Sequence, residues 1–167
     1  MTGDPTGDVS RRLAAILFAG YKRLQPGDEA STFTGFTLLR AEIIEPQVLK
    51  FGGHIIRWTG DEVVFLEFPS VFGAVRCAAA LIEAASRLNE ATLPDRRIAL
   101  SIGINLDDII IKDGDFFGDG VNIAARLEAL ADAMLAFRQL FDPTSSTYTY
   151  LLADGGSGAA VIADSGS

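Results

Sequence analysis

An asparagine and an arginine four residues apart could present an amide and a positive charge to a single ligand. Asn122 and Arg126 follow the glycine-punctuated segment GDFFGDG and open an apolar-periodic stretch that predicts a helix. Positions four apart lie on the same face of a helix, so both side chains would project together. On spacing alone, a capped surface helix with a solvated Arg126 is an equally good interpretation.

Two carboxylates also stand where loops would expose them. Asp61 follows a glycine between two apolar segments, and Asp115 lies in the loop before the predicted helix. Carboxylates can hold divalent cations that bridge to phosphate oxygens, but a lone aspartate in a turn is more often a turn former. Spacing alone therefore favours an ordinary turn residue at Asp61 over a metal ligand.

The elements that must position these side chains follow from periodicity and punctuation. Helical spacing predicts one helix from about Asp28 to Lys50 and another from Ser70, as its N-cap, to about Leu88. Pro46 should kink the first helix or end its regular part. Short apolar segments bounded by turn residues predict strands at RLAAILFAG, HIIRW, EVVFLEF, RIALSIGIN and DIIIK.

The order strand, helix, strand, strand, helix, strand predicts the α+β class, with a ferredoxin-like βαββαβ sheet and helices on one face. In that fold the turn at Asp61 and the end of the first strand near Ala19 should come close together. We expect a flexible N-terminus at residues 1–10, one domain at residues 11–132, and an atypical tail at residues 133–167. The tail segments TYTYLLA and AAVIA, separated by DGGSG, predict a β-hairpin.

Length, charge and cysteine content limit the class of protein. The 167 residues, 49% of them hydrophobic, suffice for one domain with a real core. A net charge of −8 argues against a nucleic-acid partner, which needs clustered lysine and arginine. No apolar run is long enough to span a membrane, and the N-terminus has no signal core, so we expect a cytoplasmic protein. Cys77 lies in an apolar run and should be a buried small hydrophobe.

Three blocks of the chain, taken together, resemble the catalytic domain of class III adenylate/guanylate cyclases. They are RRLAAILFAGYKRL, GGHIIRWTGDEVVFLEFPS and GDFFGDGVNIAARLEALA, in the family's order, and the resemblance covers about residues 11–132. It implies conversion of ATP to 3′,5′-cyclic AMP and pyrophosphate in intracellular signalling. It also implies Mg²⁺ or Mn²⁺ as cofactor, and a homodimer or another cyclase domain as partner.

The resemblance assigns roles to five side chains. Asn122 would orient the ribose and Arg126 would stabilise charge on the α-phosphate, while Asp61 would bind metal. Arg57 and Asp115 match the positions that recognise the base. Asp115 can accept a hydrogen bond from the exocyclic amine of adenine, so the pair favours adenine over guanine.

The chain departs from the family where the first strand ends. A second metal-binding aspartate should follow that strand in a segment like FADVVGYSRL, but here the chain has FAGYKRL, and no carboxylate stands nearby in the sequence. The shortened loop also loses backbone that should cradle the triphosphate, although Lys22 could meet a phosphate as a point charge. The alternative function is therefore a catalytically inactive nucleotide-binding or dimer-partner pseudo-cyclase.

The tail resembles a different family. Residues 134–164 are similar to the first strands of persulfide dioxygenases of the metallo-β-lactamase fold, which open with FRQLFDPTSSTYTYLL-like sequence. The metal-binding HxHxDH motif of that family cannot be present in a chain with one histidine. No dioxygenase activity is expected.

Overall fold

In the part of the chain that the structure describes, the apolar segments pair into one sheet of eight strands. The computed structural model describes residues 9–23, 35–60, 62–113, 115–133, 138–142, 147–154 and 159–164, with the backbone alone from residue 130 onward. Helices α1, α2 and α3 span residues 35–50, Val71–Glu90 and Asp119–Ala133. The strands are β1 (Val9–Arg23), β2 (His54–Thr59), β3 (Val63–Phe68), β4 (Ile98–Lys112), β5 (Asp115–Phe117), β6 (Arg138–Asp142), β7 (Thr147–Asp154) and β8 (Ala159–Asp164).

Strand β1 lies at the centre of the sheet's first half. It pairs antiparallel with β3 on one side and with β4 on the other. The strands lie in the order β2-β3-β1-β4-β8-β7-β6, and β5 pairs with the end of β4. This topology confirms the predicted ferredoxin-like βαββαβ arrangement of the α+β class.

The two central strands are longer than the sequence predicts. β1 begins at Val9, inside the predicted N-terminal segment, and continues past Ala19 to Arg23. β4 is one strand where two were predicted. The reason is that β1 and β4 pair along their whole length, from Val9 opposite Lys112 to Arg23 opposite Ile98. Each strand therefore supplies backbone hydrogen-bond partners to the polar segments of the other, and these segments become extended too.

Alternate residues of β1 divide the core between the two faces of the sheet. Ala15 and Leu17 belong to the cluster covered by α1 and α2, which we name the α1/α2 face. Ala14 and Ile16 belong to a second cluster that includes Ala124 of α3, on the opposite α3 face. Helices α1 and α2 thus share one face as predicted, while α3 covers the other. Burial of each large aliphatic side chain contributes about 1.5–3 kcal/mol.

Proline interrupts helix α1 as the sequence predicts. Residues 35–39 are α-helical, Arg40–Ile44 form a π-helical turn, and α-helical geometry resumes at Glu45–Lys50. Pro46 has no backbone N–H to donate to the preceding turn, so regular α-helical bonding cannot run through this point. The apolar side of α1 remains continuous, since Phe36, Leu39, Ile44 and Val48 are all buried.

Strands β2 and β3 form the predicted hairpin. Their register shifts between Ile55 and Arg57, which marks a bulge at Ile56. The extra residue of this hairpin therefore lies on β2, and such a bulge increases the local twist of the strand. His54 is exposed at the start of β2.

Helix α2 has a capped start and a tethered end. The Gly73 amide donates to the Ser70 hydroxyl at 3.1 Å, which confirms Ser70 as the N-cap. At the other end, buried Asn89 donates to the Ile98 carbonyl at 2.8 Å and accepts from the Ile98 amide at 2.9 Å. This pair of bonds fixes the start of β4 against the helix. Among the residues described here, no helix has both the length and the apolar character needed to cross a lipid bilayer.

The C-terminal tail extends the sheet beyond β4. β7 and β8 pair antiparallel, as the predicted hairpin requires, and β6 joins the other side of β7. β8 runs parallel to β4, from Leu100 opposite Ala159 to Asn105 opposite Asp164. The resemblance of this tail to persulfide dioxygenases stays a prediction.

The buried thiol of Cys77 gives the fold a measurable pH dependence. Cys77 is fully buried on α2, as predicted, and burial raises the pKa of its thiol from 9.0 to about 12. The pKa of the thiol is higher in the folded protein than in the unfolded one. The free energy of unfolding therefore keeps its full value below pH 9 and decreases as the pH rises towards 12. The free energy of unfolding should fall by about 1.4 kcal/mol per pH unit in that window.

Urea denaturation of wild type and Cys77→Ala at several pH values measures this slope. The difference between the two proteins isolates the thiol, because all other titrating groups are common to both. Parallel curves for the two proteins between pH 9 and 12 would contradict the prediction.

Candidate active site

Helix α3 lies unusually close to strand β4, and a glycine permits the contact. A Cβ added at Gly103 would lie 2.3 Å from the Ala124 carbonyl oxygen and 2.4 Å from the Glu128 amide nitrogen. Both of these are backbone atoms of α3. Only glycine leaves the helix backbone room to rest directly on the strand. The first half of α3 is therefore positioned by backbone contact as well as by side-chain packing.

A cluster of oxygens joins α3 to the end of β1. The Ser101 hydroxyl of β4 lies 3.3 Å from the Gly20 carbonyl oxygen, and it also contacts the Glu128 carboxylate in a short hydrogen bond. Gly20 and Ser101 lie opposite each other on the α3 face of the sheet. Glu128 of α3 is thus hydrogen-bonded to Ser101 of β4, and the same serine contacts Gly20 of β1.

The β2–β3 turn reaches the same end of β1. Gly20 pairs with Val63, and the Tyr21 amide donates to the Glu62 carbonyl at 2.9 Å. The predicted proximity of the turn to the end of the first strand is therefore confirmed for the residues after the turn. Asp61 itself, the predicted metal ligand, lies outside the described residues.

Asn122 and Arg126 lie together on the outward side of α3. Both are exposed, whereas Ala124 and Leu127 are buried against the sheet. The amide and the guanidinium therefore share one face of a helix whose opposite side is fixed, as their spacing predicts. That they act on a ribose and a phosphate stays a prediction.

Arg57 and Asp115 occupy different parts of the sheet. Arg57 lies on β2 with its guanidinium carbon 5.5 Å from the centroid of the Phe65 ring, and it is exposed. Across the sheet, the strand pairing through β3 and β1 places Arg57 in register with Gly103 of β4. Asp115 instead pairs with Lys112, near the end of β4. The distance along β4 from Gly103 to Lys112 is about 30 Å. Strand register alone does not bring the two side chains to one base.

The oxygens near Gly20 have the chemistry of a hard-cation site. Among the residues that the structure describes, no three His, Cys, Asp or Glu side chains form a metal-binding group. Nucleotide-bound Mg²⁺ needs only one or two protein carboxylates, since phosphates and water complete its shell. At the end of β1, the carboxylate of Glu128, the hydroxyl of Ser101 and the carbonyl of Gly20 provide such donors. Oxygens are the ligand type that Mg²⁺ and Mn²⁺ prefer, and the cofactor itself stays a prediction.

Glu128 is a carboxylate beside the end of β1 that the sequence interpretation missed. The residues directly after the first strand, in FAGYKRL, include no carboxylate. Helical spacing held the signal, because Glu128 follows Ala124 by four positions and so lies on the buried side of α3. A glutamate on the apolar side of a predicted helix calls for a partner.

A separate cleft of about 510 Å³ lies on the α1/α2 face. It is largely apolar and includes Phe36, Leu39 and Leu88 among its lining residues. None of the five side chains predicted for catalysis, base recognition or metal binding lines it among the residues described. The candidate site is therefore the α3 face, not this cleft.

Comparison with known proteins gives a consistent family. No protein-family model matches the chain. It is 50% identical over 127 residues to the putative adenylate cyclase 3 of Rhizobium meliloti, covering 74% of this chain and 22% of that protein. It is 28% identical over 142 residues to the adenylate cyclase of Streptomyces coelicolor, covering 80% and 34%. The chain thus spans roughly a fifth to a third of these curated relatives.

A solved structure extends the likeness to the fold. The adenylate/guanylate cyclase/hydrolase from Silicibacter pomeroyi superposes with a TM-score of 0.70 at 34% sequence identity. The match covers 80% of this chain and 88% of that one. Sequence identity and shared fold over nearly the whole of a solved cyclase show that this chain belongs to the adenylate/guanylate cyclase family, as a class III cyclase domain.

Proposed function

We propose that the chain is an adenylate cyclase domain that converts ATP to 3′,5′-cyclic AMP and pyrophosphate in cytoplasmic signalling. One observation carries the proposal. Asn122 and Arg126 project from the exposed side of α3, and Gly103 and Glu128 hold the other side of that helix on the central strands. Two relatives named adenylate cyclase support the choice of reaction.

The reaction is an internal displacement at the α-phosphorus of ATP. The ribose 3′-oxygen forms a bond to that phosphorus, the bond to the bridging oxygen of the β-phosphate breaks, and pyrophosphate leaves with the electron pair. The 3′-hydroxyl proton passes to solvent. Asn122 would hold the ribose so that its 3′-oxygen faces the phosphorus, and Arg126 would meet charge as it builds on the phosphoryl oxygens.

Divalent metal completes the site in this proposal. Bound Mg²⁺ or Mn²⁺ would neutralise phosphate charge and polarise the attacking hydroxyl. Asp61 is the proposed ligand from the hairpin turn. The position of Glu62 and Val63 beside Tyr21 and Gly20 supports a carboxylate at this end of β1.

A second protomer is part of the proposal. Val9, Leu13, Ile110 and Phe117 are large apolar residues left between 39% and 59% exposed, and they lie at the far end of the β1, β4 and β5 ladder. An exposed apolar patch of this kind is typical of a protein interface. Exposed Asn122 and Arg126 would gain a water-excluded environment only if another chain covered them. We therefore propose a homodimer, or a pair with another cyclase domain.

The second candidate is a catalytically inactive pseudo-cyclase that binds nucleotide or lends α3 to a partner. The absent aspartate after Ala19 favours it, because a site with one metal-binding carboxylate loses charge stabilisation. In this case Asn122 and Arg126 would serve a site whose metal ligands belong to the other chain.

Cyclic AMP formation distinguishes the two candidates. The purified chain would be assayed with ATP and Mn²⁺, alone and mixed with a cyclase that lacks only its asparagine and arginine on the equivalent helix. Product from the chain alone supports the adenylate cyclase, and product only from the mixture supports the partner role. No product in either assay contradicts catalysis, and nucleotide binding then decides whether the inactive form remains.

Base preference gives an independent prediction. The chain should bind ATP more tightly than GTP, because Asp115 can accept a hydrogen bond from the adenine amine. A wrong base leaves polar groups unsatisfied at a cost of roughly 1–3 kcal/mol each. The preference should therefore be about tenfold or more, and Asp115→Ala should remove most of it.

Calorimetric titration of both nucleotides measures this preference. Asp119→Ala is the matched control, because it removes an exposed carboxylate four residues further along the chain, at the start of α3. Equal affinity for ATP and GTP, unchanged by the Asp115 substitution, would show that Asp115 has no part in base recognition.

A further inference from the structure

We propose that Phe65 of β3 is a positioning residue for nucleotide recognition, because its ring holds the guanidinium of Arg57 on the α3 face of the sheet. The inference rests on the proposed nucleotide site, in which Arg57 is the cation predicted to recognise the base. Phe65 is only 2% exposed, so it acts through Arg57 and does not touch the nucleotide itself.

The bulge in β2 brings Arg57 to this face. Ile55 and Trp58 pack against the cluster of the α1/α2 face, whereas Ile56 packs against the cluster of the α3 face. Regular alternation from Ile56 would send Arg57 to the α1/α2 face. Because the register shifts between Ile55 and Arg57, Arg57 lies opposite Phe65, which belongs to the α3-face cluster.

The ring of Phe65 is a fixed platform for the guanidinium. The guanidinium carbon of Arg57 lies 5.5 Å from the centroid of that ring. This distance is within the range of about 6 Å over which an aromatic face attracts a cation. Phe18 of β1 holds the same ring edge-to-face, with centroids 4.8 Å apart and planes at 87°. Packing on both sides therefore fixes the ring against which Arg57 rests.

This contact leaves Arg57 able to bind a ligand. Within the described part of the chain, its guanidinium makes no ion pair or hydrogen bond, and the Phe65 ring is what orients it. Attraction to the ring uses the charge of the guanidinium, so its N–H groups stay available to donate. An exposed arginine without such a contact would lose more rotamer entropy when it bound a base.

A purely structural role of Phe65 in the core is the competing explanation. It predicts that Phe65→Leu lowers stability without changing nucleotide affinity. Phe68→Leu is the matched control, because Phe68 lies on the same strand, is fully buried and belongs to the cluster of the other face. Urea denaturation of each variant reports the loss of stability separately.

Calorimetric titration with two ligands separates the two explanations. One ligand is ATP, and the other is ribose 5′-triphosphate, which has the same phosphates and no base. We expect Phe65→Leu to bind ATP about three- to tenfold more weakly than wild type and to bind the base-free compound as wild type does. Phe68→Leu should bind both compounds as wild type does.

A double-mutant cycle tests whether Phe65 acts through Arg57. Phe65→Leu should weaken ATP binding in the wild-type chain and leave it unchanged in the Arg57→Ala chain. Phe65→Tyr keeps the aromatic face and should keep the affinity for ATP. A general disturbance of the core would instead weaken binding to the same extent with and without Arg57.

A milder variant decides the question if Phe65→Leu does not fold. Phe18→Leu removes the edge that orients the Phe65 ring, and Phe18 is only partly buried. We expect a smaller loss of ATP affinity than for Phe65→Leu, which again disappears in the Arg57→Ala chain.

The outcomes separate this inference from the proposed function. A loss confined to ATP and dependent on Arg57 supports the positioning role. Equal ATP affinities for Phe65→Leu and Phe68→Leu, or a loss that persists in the Arg57→Ala chain, overturn the inference and leave the nucleotide site in place. If wild type binds no ATP, the proposed function is overturned and the inference with it.

Discussion

Arg126→Ala should form cyclic AMP about 100 to 1,000 times more slowly than wild type, with little change in the ATP concentration at half-maximal rate. That loss is typical when one donor to a developing charge is removed. The charge on the phosphoryl oxygens builds mainly in the transition state. A group that acts on it therefore contributes to kcat more than to ground-state binding.

The size of this effect depends on a second chain. In the single protomer Arg126 is exposed, and two unit charges 4 Å apart in water interact by only about 1 kcal/mol. A 100- to 1,000-fold effect corresponds to about 3–4 kcal/mol, which requires a site that excludes water. Arg126 should therefore matter most at protein concentrations where the proposed dimer forms.

Steady-state rates at a series of protein concentrations test both the rate loss of Arg126→Ala and its dependence on the dimer. Arg96→Ala is the matched control, because Arg96 is exposed in the connection between α2 and β4 and is not part of the proposed site. Arg126→Lys keeps the charge but loses the planar fork, so we expect an intermediate rate. Equal rates for Arg126→Ala and Arg96→Ala would remove Arg126 from the proposed mechanism.

Local signals in the sequence predicted the elements well because each depends on neighbouring residues. The Ser70 cap, the interruption of α1 before Pro46 and the burial of Cys77 on α2 all follow from contacts within a few positions. The outward pairing of Asn122 and Arg126 follows in the same way from helical spacing. These are properties that one element determines by itself.

The length of the central strands could not be predicted in this way. The segment after Gly20, and Leu106 and Asp107 between the two predicted strands, carry no strand pattern of their own. They are extended because β1 and β4 pair with each other, and that register is a long-range property. The deletion after Ala19 is consistent with this register, since without a loop Gly20 can stay in the ladder opposite Ser101.

The carboxylate at the end of β1 was missed for the same physical reason. Glu128 is more than one hundred positions from Gly20 in the sequence, and only the packing of α3 on β4 brings the two together. Gly103 alone gave no signal, because a glycine within an apolar strand segment has several interpretations. Roles for Asp61, Arg57 and Asp115 rest on the family resemblance and stay predictions.

Gly103→Ala should both destabilise the protein and lower its activity, because one methyl group meets the backbone of α3. The new Cβ would lie 2.3 Å from the Ala124 carbonyl oxygen, 2.4 Å from the Glu128 amide nitrogen and 2.9 Å from the Leu127 carbonyl carbon. No rotamer change relieves contacts with backbone atoms, so the helix must move away from the sheet. Overpacking of this kind costs about 1–3 kcal/mol, and occasionally more.

The loss of activity should exceed what the loss of stability explains. Moving α3 by about 1 Å displaces Asn122 and Arg126 from their proposed positions, and misplacement on that scale can reduce a rate about 100-fold. It also weakens the contact of Glu128 with Ser101. Rates are therefore to be compared at a temperature where urea denaturation shows the variant fully folded.

Gly35→Ala is the matched control for this substitution. Gly35 lies in the helical residues 35–39, and a Cβ there would meet nothing within 4 Å. Alanine is favoured over glycine in a helix by up to about 1 kcal/mol, so this variant should be neutral or slightly more stable, with unchanged activity. If Gly103→Ala were as stable and as active as Gly35→Ala, then α3 would not be held by backbone contact with β4. The positions of Asn122, Arg126 and Glu128 would then need another cause.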